Sequence, residues 1–189
     1  MVMILATNNP GKLREIKEIL KEYQIFSLKE KGITIDVVED QDTFLGNAAK
    51  KAKEIYEIAH EPVLADDSGL CVVGLNDFPG VLTHRFLGED ATDEERNKYL
   101  IEQVNQINDR RAYVICNLVY YDGDELIVGE GRIDGVISHE RRGSNGFGFD
   151  EIFELQDGQT LAELTSEEKN RMSARYFATM DLKRKLIKK

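Results

Sequence analysis

The feature that most constrains the fold is a short apolar segment that runs directly into two adjacent carboxylates. Residues 63–65 are apolar, Asp66 and Asp67 follow them, and a hydroxyl and a glycine come next. This pattern predicts a buried strand that carries both carboxylates at its end. Neighbouring carboxylates repel each other unless positive charge lies beside them, and Mg²⁺ binds carboxylate oxygens, waters and substrate phosphates. The alternative is an ordinary turn or helix start, where Asp-Asp pairs are common.

The composition describes a chain that can bury a hydrophobic core and that carries no membrane-spanning segment. Hydrophobic residues make up 41% of the 189 residues, and no apolar run approaches the roughly 18 residues that a membrane helix needs. Residues 1–7 lack the basic start and the cleavage site of a signal peptide. The net charge of -10 argues against a general nucleic-acid binder, which carries a basic face. We therefore expect one domain over residues 1–189, in a cytoplasmic protein that binds neither nucleic acid nor membranes.

The cysteines and histidines give no sign of a zinc site. Cys71 and Cys116 lie in apolar, strand-like segments and have no metal-ligand spacing. His60, His84 and His139 are scattered along the chain. We expect both thiols to be reduced residues of the core.

The order of the predicted elements indicates an α/β fold. Hydrophobic periodicity predicts helices over residues 13–20, 43–60, 92–105 and 173–188, with a short helix from Ser166. Strand patterns cover residues 2–6, 24–28, 33–38, 63–65, 111–121 and 125–133. The Asp122-Gly123 pair between the last two strands is a hairpin turn signal. We therefore expect parallel pairing among the early strands and an antiparallel hairpin later.

A candidate phosphate site lies at the first turn, between a strand and a helix. The turn consists of Thr7, Asn8, Asn9, Pro10, Gly11 and Lys12. Backbone N–H groups at a helix start attract anions, and the helix dipole adds to this attraction. Gly11 allows close approach and Lys12 adds charge, although the GxxxxGK[ST] spacing of a Walker loop is absent. The alternative is an ordinary N-capped helix.

An acidic run and a set of lysines follow the first helix. The carboxylates are Asp36, Glu39, Asp40 and Asp42, and the lysines are Lys50, Lys51 and Lys53. Because alternate residues of a strand share a face, only some of these carboxylates can converge with Asp66 and Asp67. For each charge alone the plainer interpretation is a solvated surface residue, although one lysine can reach inward to a phosphate.

The glycine-rich segment Ser144–Asp150 is a candidate for contact with a flat ring. Its glycines let a ring lie against the backbone, and Phe147 or Phe149 can stack on that ring. Asp150 can accept hydrogen bonds from ring N–H groups. The alternative is a glycine-rich hairpin whose phenylalanines belong to the core.

Two cations of this acidic chain lie beside the last helix starts. They are Lys169 and Arg175. A guanidinium donates hydrogen bonds and never accepts them, so Arg175 can bind a keto oxygen. The alternative is surface pairing with Glu167 or Glu168.

Six segments together resemble the inosine/xanthosine triphosphate pyrophosphatase family, which removes non-canonical purine nucleotides. They occur in the family's order and extend from residue 6 to residue 175. The segments are ATNNPGK (6–12), TFLGNA (43–48), ADDSGL (65–70), PGV (79–81), GFGFD (146–150), and AELT (162–165) with Lys169 and SAR (173–175).

The resemblance implies an activity, a cofactor and an architecture. The activity is hydrolysis of ITP, dITP and XTP to the monophosphate and pyrophosphate, with Mg²⁺. The architecture is an α/β fold with an elongated central mixed β-sheet flanked by helices and two lobes with a cleft between them. The resemblance also implies a homodimer.

Roles for individual residues follow from the resemblance and from the mechanism that we build on it. Asp67 is the general base, and the metal ligands are Glu39, Asp66 and Asp67, with Asp36 and Asp40 as other candidates. The substrate contacts are Thr7, Asn8, Asn9, Pro10, Gly11, Lys12, Lys51, Ser68, Phe147, Gly148, Phe149, Asp150, Lys169, Ala174 and Arg175. Within this set Lys12, Lys51 and Lys169 neutralise phosphates, and Arg175 donates to the 6-keto group.

The chain departs from the family's usual pattern at four positions. These are Gly46, Phe149, Glu151 and Ala174, where the family commonly has Glu, Tyr, Pro and His. The histidine belongs to the base pocket, so its absence places more of the keto-group selection on Arg175.

Two other functions fit the same motifs. One is a pyrophosphatase for pyrimidine or other modified nucleotides, which uses the same metal chemistry. The other is a nucleotide-binding protein without activity, because Gly46 and Ala174 replace site residues and such changes can leave binding intact.

Overall fold

The computed structural model, which describes residues 1–187, contains seven β-strands and five α-helices in those residues. The strands are β1 (Val2–Leu5), β2 (Gln24–Ser27), β3 (Val63–Val72), β4 (Phe78–Pro79), β5 (Arg111–Tyr121), β6 (Leu126–Ile137) and β7 (Phe153–Glu154). The helices are α1 (Pro10–Ile19), α2 (Phe44–Ala59), α3 (Asp93–Val104), α4 (Ser166–Met172) and α5 (Ala174–Ile187). Single 3₁₀ turns occur at Lys29–Lys31, Val73–Leu75, Gly80–Leu82 and Leu161–Glu163. The end predicted for the last helix, residue 188, lies outside the described residues.

The strands form one mixed sheet in the order β2-β1-β3-β5-β6-β7, with β4 paired to β3. β1 pairs in parallel with β2 and with β3, so that Val2 lies opposite Gln24 and Ile4 opposite Val63. The β3–β4 and β6–β7 pairs are antiparallel. β5 and β6 are neighbours joined only by residues 122–125, a connection typical of a hairpin. The predicted α/β class, the central mixed sheet with flanking helices and the early parallel pairing are therefore confirmed.

The chain divides into two compact units. Unit 1 comprises residues 1–68, residues 116–131 and the residues from Ala174 onward. Unit 2 comprises residues 69–115 and 132–173. The expectation of one domain over residues 1–189 stays a prediction. Within the described residues, no helix combines the length and the apolar character of a membrane span.

The core of unit 1 forms where α2 packs against the sheet. Small residues on the inner face of α2 let the helix approach the strands closely, since Ala48 and Ala52 are fully buried. The cluster contains Ile4, Ala6, Leu28, Val37, Ala48, Ala52, Ile55, Val63, Ala65 and Val119. Thr43 caps α2 by accepting a hydrogen bond from the Gly46 N–H, and His60 ends the helix in the left-handed region. The helix predicted over residues 43–60 is thereby confirmed.

Two strand predictions were wrong. Residues 33–38 form no regular element, because Val38 is 68% exposed and the segment pairs with no strand of the described chain. β3 does not end before the carboxylates but runs through Asp66 and Asp67, and all ten of its residues are buried. Since successive strand residues point to opposite faces, the two carboxylates turn away from each other.

Unit 2 has a core of its own, to which α3 contributes. A capping box opens the helix predicted from residue 92, and the Thr92 N–H donates to Glu95 Oε2 over 2.7 Å. Phe78, Phe86 and Tyr99 form an aromatic cluster with edge and tilted contacts, and the Phe78 and Phe86 centroids lie 5.2 Å apart.

Both cysteines are free thiols buried in the fold, as predicted. Burial raises the pKa of Cys116 to about 12 and also raises the pKa of Cys71. Because the thiolate is the reactive form, we expect iodoacetamide at about pH 8 to label neither cysteine in the folded protein. Unfolding in denaturant should make both thiols react within minutes, which mass spectrometry can follow. Rapid alkylation of the folded protein would contradict the buried positions.

Candidate active site

Asp67 lies in unit 1 and is held by two hydrogen bonds. Its Oδ2 accepts from Asn47 Nδ2 over 2.9 Å, and its Oδ1 accepts from the Ser68 backbone N–H over 2.9 Å. Asn47 is fully buried, and its own Oδ1 accepts from the Gln41 N–H, which fixes the direction of the amide. Asp67 is 2% exposed, so its orientation is set by these partners.

The surroundings of Asp67 make it a stronger base than an ordinary aspartate. Burial raises the pKa of the Asp67 carboxyl to about 6; the charge of Lys51 opposes this rise, and the charge of Glu39 adds to it. Such a group is mostly ionised at neutral pH but binds a proton readily. It can therefore take a proton from a nucleophile and release it afterwards.

Glu39 is the member of the acidic run that the structure links to Asp67. Lys51 Nζ lies 2.5 Å from Glu39 Oε1 and donates to the Asp66 carbonyl oxygen over 2.6 Å. Lys51 stands on α2 one turn after Asn47, so both side chains lie on the same face of the helix. By contrast, Asp40 pairs with Lys50 at the surface. These contacts favour Glu39 over Asp40 as a neighbour of Asp67, and the identity of the metal ligand stays a prediction.

Asp66 contacts a second group of charged residues, which we call the arginine cluster. Asp66 Oδ2 lies 3.2 Å from Lys12 Nζ and 3.2 Å from Arg175 Nε. Burial disfavours the charged form of Asp66, but Lys12 and Arg175 hold its pKa well below the usual range. The other members of the cluster are Glu15 and Ser68.

Arg175 is the centre of the arginine cluster. Its Nη1 donates to Glu15, and its Nη2 donates to Ser68 Oγ over 3.0 Å. The residue is 8% exposed, and all three guanidinium nitrogens have partners in unit 1. This excludes the alternative of surface pairing with Glu167 or Glu168. The predicted contact of Arg175 with a keto oxygen stays a prediction.

That Asp66 shares a metal with Asp67 stays a prediction. Adjacent strand residues face opposite sides of β3, and Lys12 and Arg175 lie beside Asp66. Among residues 1–187, no three His, Cys, Asp or Glu side chains come together closely enough to hold a metal ion. Of the three predicted ligands, Glu39 and Asp67 share Lys51 as a charged neighbour, and their carboxylates are the pair suited to hold a metal.

The first turn has the geometry of an N-capped helix. Asn9 Oδ1 accepts from the N–H groups of Gly11 and Lys12, over 2.8 and 3.2 Å. Thr7 Oγ1 in turn accepts from the Asn9 N–H over 3.2 Å. The helix-start amides therefore have a partner in the chain, and a phosphate at this turn stays a prediction. The side chain of Asn8 lies at the surface, 3.3 Å from Asp36.

In unit 2 the segment Gly146–Asp150 forms a tight loop that Asp150 closes. Asp150 Oδ2 accepts from the Phe147 N–H over 2.8 Å, and Lys169 Nζ lies 2.6 Å from the same oxygen. Lys169 Nζ also lies 4.5 Å from the centre of the Phe147 ring. A Cβ at Gly146 would lie 2.1 Å from Asp150 Oδ2, so this position needs glycine. Phe147 and Phe149 are half-buried, so they are not core residues.

The predicted site residues thus fall into two groups, one in each unit. Unit 1 holds Thr7–Lys12, Glu39, Lys51, Asp66, Asp67, Ser68, Ala174 and Arg175. Unit 2 holds Phe147, Gly148, Phe149, Asp150 and Lys169. Ala174 is buried at the first position of α5 and offers only a methyl group.

Sequence reasoning missed two functional residues, Glu15 and Asn47. Glu15 stands one turn after Lys12 on α1, beside buried Ile16, so its place on the apolar stripe was the available signal. Asn47 belongs to a segment of the resemblance and precedes the buried Ala48. The local packing suits a glycine at position 46, because a Cβ there would lie only 2.9 Å from the Gln41 Cβ.

Comparisons with known proteins agree with the resemblance. Residues 3–185 match the family model of the Ham1 family. The chain is 44% identical to a dITP/XTP pyrophosphatase of Clostridium perfringens over 95% of this chain and 94% of that protein. It is 40% identical to a dITP/XTP pyrophosphatase of Clostridium tetani, over 97% of this chain and 95% of the relative.

A solved structure gives the same result for the fold. The chain superposes on a HAM1 protein from Coxiella burnetii with a TM-score of 0.92 and 34% identity, and the match covers 100% of both chains. Since the family match extends over nearly all of the sequence, and the relatives are similar along their full length, this chain belongs to the Ham1 family.

Proposed function

We propose that this protein hydrolyses the non-canonical purine nucleoside triphosphates ITP, dITP and XTP to the nucleoside monophosphate and pyrophosphate. The observation that carries the proposal is Asp67, a buried carboxyl that Asn47 orients and whose pKa is raised to about 6. It occurs in a chain whose relatives are named dITP/XTP pyrophosphatases. The protein is therefore a hydrolase of nucleotide metabolism that acts on the α–β phosphoanhydride bond.

Asp67 acts as the general base in this reaction. It takes a proton from a water molecule as the water oxygen forms a bond to the α-phosphorus. The bond between the α-phosphorus and the oxygen that bridges to the β-phosphorus breaks, and pyrophosphate leaves with the electron pair. Asn47 keeps the carboxylate turned toward the water. Catalysis of this kind depends mainly on positioning and on stabilisation of charge.

The residues around Asp67 fit a divalent cation. Burial and the charge of Glu39 outweigh Lys51 and leave Asp67 short of positive charge, as its raised pKa indicates. Mg²⁺ is usually bound by one or two carboxylates together with substrate phosphates, so Glu39 and Asp67 are a sufficient protein contribution. When bound, the ion supplies Lewis-acid charge that polarises the phosphate oxygens.

Lysines of unit 1 are suited to bind the phosphate chain. Lys51 has a 12% exposed side chain beside Glu39, and it stays positively charged because Asp66, Asp67 and Glu39 raise its pKa against the effect of burial. Lys12 lies in the first turn of α1, where the helix dipole favours anions. Its pairing with Asp66 fixes the position of its ammonium group.

The Gly146–Asp150 loop and Lys169 are suited to bind the base. The half-buried rings of Phe147 and Phe149 offer faces for stacking. We replace the phosphate role expected for Lys169 with a role in base binding, because its ammonium group lies beside Asp150 and the Phe147 ring. An ammonium group only donates hydrogen bonds, so Lys169 favours the 6-keto oxygen of hypoxanthine or xanthine. Adenine presents an amino donor at that position, and a buried donor left unpaired costs about 1–3 kcal/mol.

A product-resolved assay over a panel of nucleoside triphosphates tests the proposal. With Mg²⁺ we expect ITP, dITP and XTP to give the monophosphate and pyrophosphate, at a kcat/KM at least about tenfold above that of ATP. Chelation of the metal should abolish turnover. A preference for dUTP would contradict the base assignment, and ITP binding without pyrophosphate release would favour a protein without activity. Release of orthophosphate in place of pyrophosphate would show cleavage of the β–γ bond and would contradict the proposed reaction.

The homodimer and the cytoplasmic location that the sequence led us to expect remain part of the proposal. The homodimer rests on the resemblance.

A further inference from the structure

We propose that Asp93 and Asn97 of α3 are positioning residues that set the affinity and the selectivity for the purine base. They act through the segment Gly146–Asp150, which we call the recognition loop. This inference rests on the proposed function, because it takes the recognition loop to contact the base. Neither residue belongs to the motifs that carry the family resemblance.

Asp93 and Asn97 bind the Gly148 backbone from both sides. The Gly148 N–H donates to Asp93 Oδ2 over 2.8 Å, and the Gly148 carbonyl oxygen accepts from Asn97 Nδ2 over 2.8 Å. Gly148 has a φ of +66°, in the left-handed region that favours glycine. With its N–H and its carbonyl both bound to one helix, this residue has a fixed orientation.

The two hydrogen bonds to Gly148 come from a helix that is itself held in place. Asp93 is the first residue of the helix and Asn97 stands one turn later, so both side chains lie on the same face. Between them in sequence, Arg96 donates to the carbonyl oxygens of Phe86 and Gly88 over 3.0 and 2.8 Å, which ties α3 to the preceding segment. Asn97 is 2% exposed, whereas the Asp93 side chain is 51% exposed. Asn97 is therefore the stronger of the two attachments.

The side of Gly148 that a side chain would occupy is open. A Cβ built on Gly148 would have only His84 Cε1 within 4 Å, at 3.9 Å. No side chain anchors this residue, so the two hydrogen bonds from α3 are well placed to set the orientation of its backbone.

The orientation of Gly148 affects the residues proposed to touch the base. Phe147 and Phe149 flank it directly, and the Phe147 N–H is bound by Asp150. A rotation of the Gly148 backbone would therefore tilt both rings and shift Asp150 relative to Lys169. Because Asp93 and Asn97 bind the backbone of the recognition loop, their effect should appear in base binding and not in the binding of phosphate groups.

Separate titrations of the two reaction products test this inference. In Asn97→Ala we expect the Kd of IMP to rise about tenfold, which corresponds to about 1.4 kcal/mol, while the Kd of pyrophosphate stays unchanged. The ratio of kcat/KM for ITP to that for ATP should fall, mainly through KM. Asn105→Ala is a matched control, because this exposed asparagine at the end of α3 accepts from Arg110, which lies outside the recognition loop. It should leave both dissociation constants unchanged.

Asp93 supplies an independent pair of variants. Asp93→Ala removes the acceptor for the Gly148 N–H and should raise the Kd of IMP by about threefold. Asp93→Asn keeps an acceptor, so its Kd of IMP should stay within about twofold of that of the unmodified protein. This pair decides the question if Asn97→Ala does not fold.

Unchanged IMP affinity in folded Asn97→Ala, or an equal loss of IMP and pyrophosphate, would overturn the positioning role. If the unmodified protein neither binds IMP nor releases pyrophosphate from ITP, the proposed function itself fails, and this inference fails with it.

Discussion

Asp67→Asn should lower the kcat for ITP by about 10²–10⁴-fold, which is the usual contribution of a positioned general base. Asparagine has the shape of aspartate but cannot take a proton from the attacking water. One of its atoms becomes an amide nitrogen that faces the Asn47 or Ser68 donor, and this lost hydrogen bond lowers stability. The variant also removes a buried charge, which offsets that loss, so we expect only a modest net change in stability. Steady-state pyrophosphate release measures the kinetic effect, and a thermal melt shows that the variant folds.

Asp40→Asn is the matched control for Asp67→Asn. Asp40 belongs to the acidic run but pairs with Lys50 at the surface, away from the contacts of Asp67. Its replacement should leave turnover within about twofold of the unmodified protein, as for most exposed sites. Near-normal turnover in folded Asp67→Asn would refute the assignment of the base.

Arg175→Ala should reduce the free energy of unfolding by about 3–5 kcal/mol, because it leaves the buried carboxylates of Glu15 and Asp66 without their shared partner. Both carboxylates are at most 4% exposed. Urea denaturation followed by circular dichroism measures the loss. The hypothesis drawn from the resemblance, in which Arg175 binds the 6-keto group, also predicts a lower ratio of ITP to ATP turnover in this variant.

Two further variants distinguish the arginine cluster from a general effect on α5. Arg184→Ala removes an exposed arginine of the same helix that pairs with Asp181, and its effect should stay within about 0.5 kcal/mol. Glu15→Gln combined with Arg175→Ala removes one uncompensated charge and should recover about 1 kcal/mol or more. A loss below about 1 kcal/mol in Arg175→Ala would show that the cluster contributes little to the fold.

The parts of the fold that the sequence predicts well are those with local signals. β5 occupies the predicted residues 111–121, and α2 begins after its predicted cap at Thr43. β3 was predicted to end early because Asp66 and Asp67 are typical of a turn in a single sequence. They continue the strand because Lys12 and Arg175 neutralise Asp66, and Arg175 lies 109 positions further along the chain.

Long-range contacts also limited the prediction of the candidate site. Asp67 was singled out by the apolar segment before it, and Lys51 was one of three lysines on a predicted helix; the resemblance then gave Asp67 the role of base. Asn47 and Glu15 were missed because their partners are distant in sequence, 20 positions for Asn47 and 160 for Glu15. The assignment of Asp66 to the metal stays a prediction, although adjacent strand residues face opposite sides.

The alternation along β3 has a consequence for how this protein tolerates change. The two adjacent carboxylates of this strand have different roles. Asp66 stabilises the protein, and Asp67 is proposed to act as the general base. Neither carboxylate can replace the other, although the two residues are adjacent in sequence. Inserting or deleting a single residue before them would exchange the two directions. Such a shift would turn Asp66 toward the surroundings of Asp67 and Asp67 toward those of Asp66, although the motif itself would be unchanged.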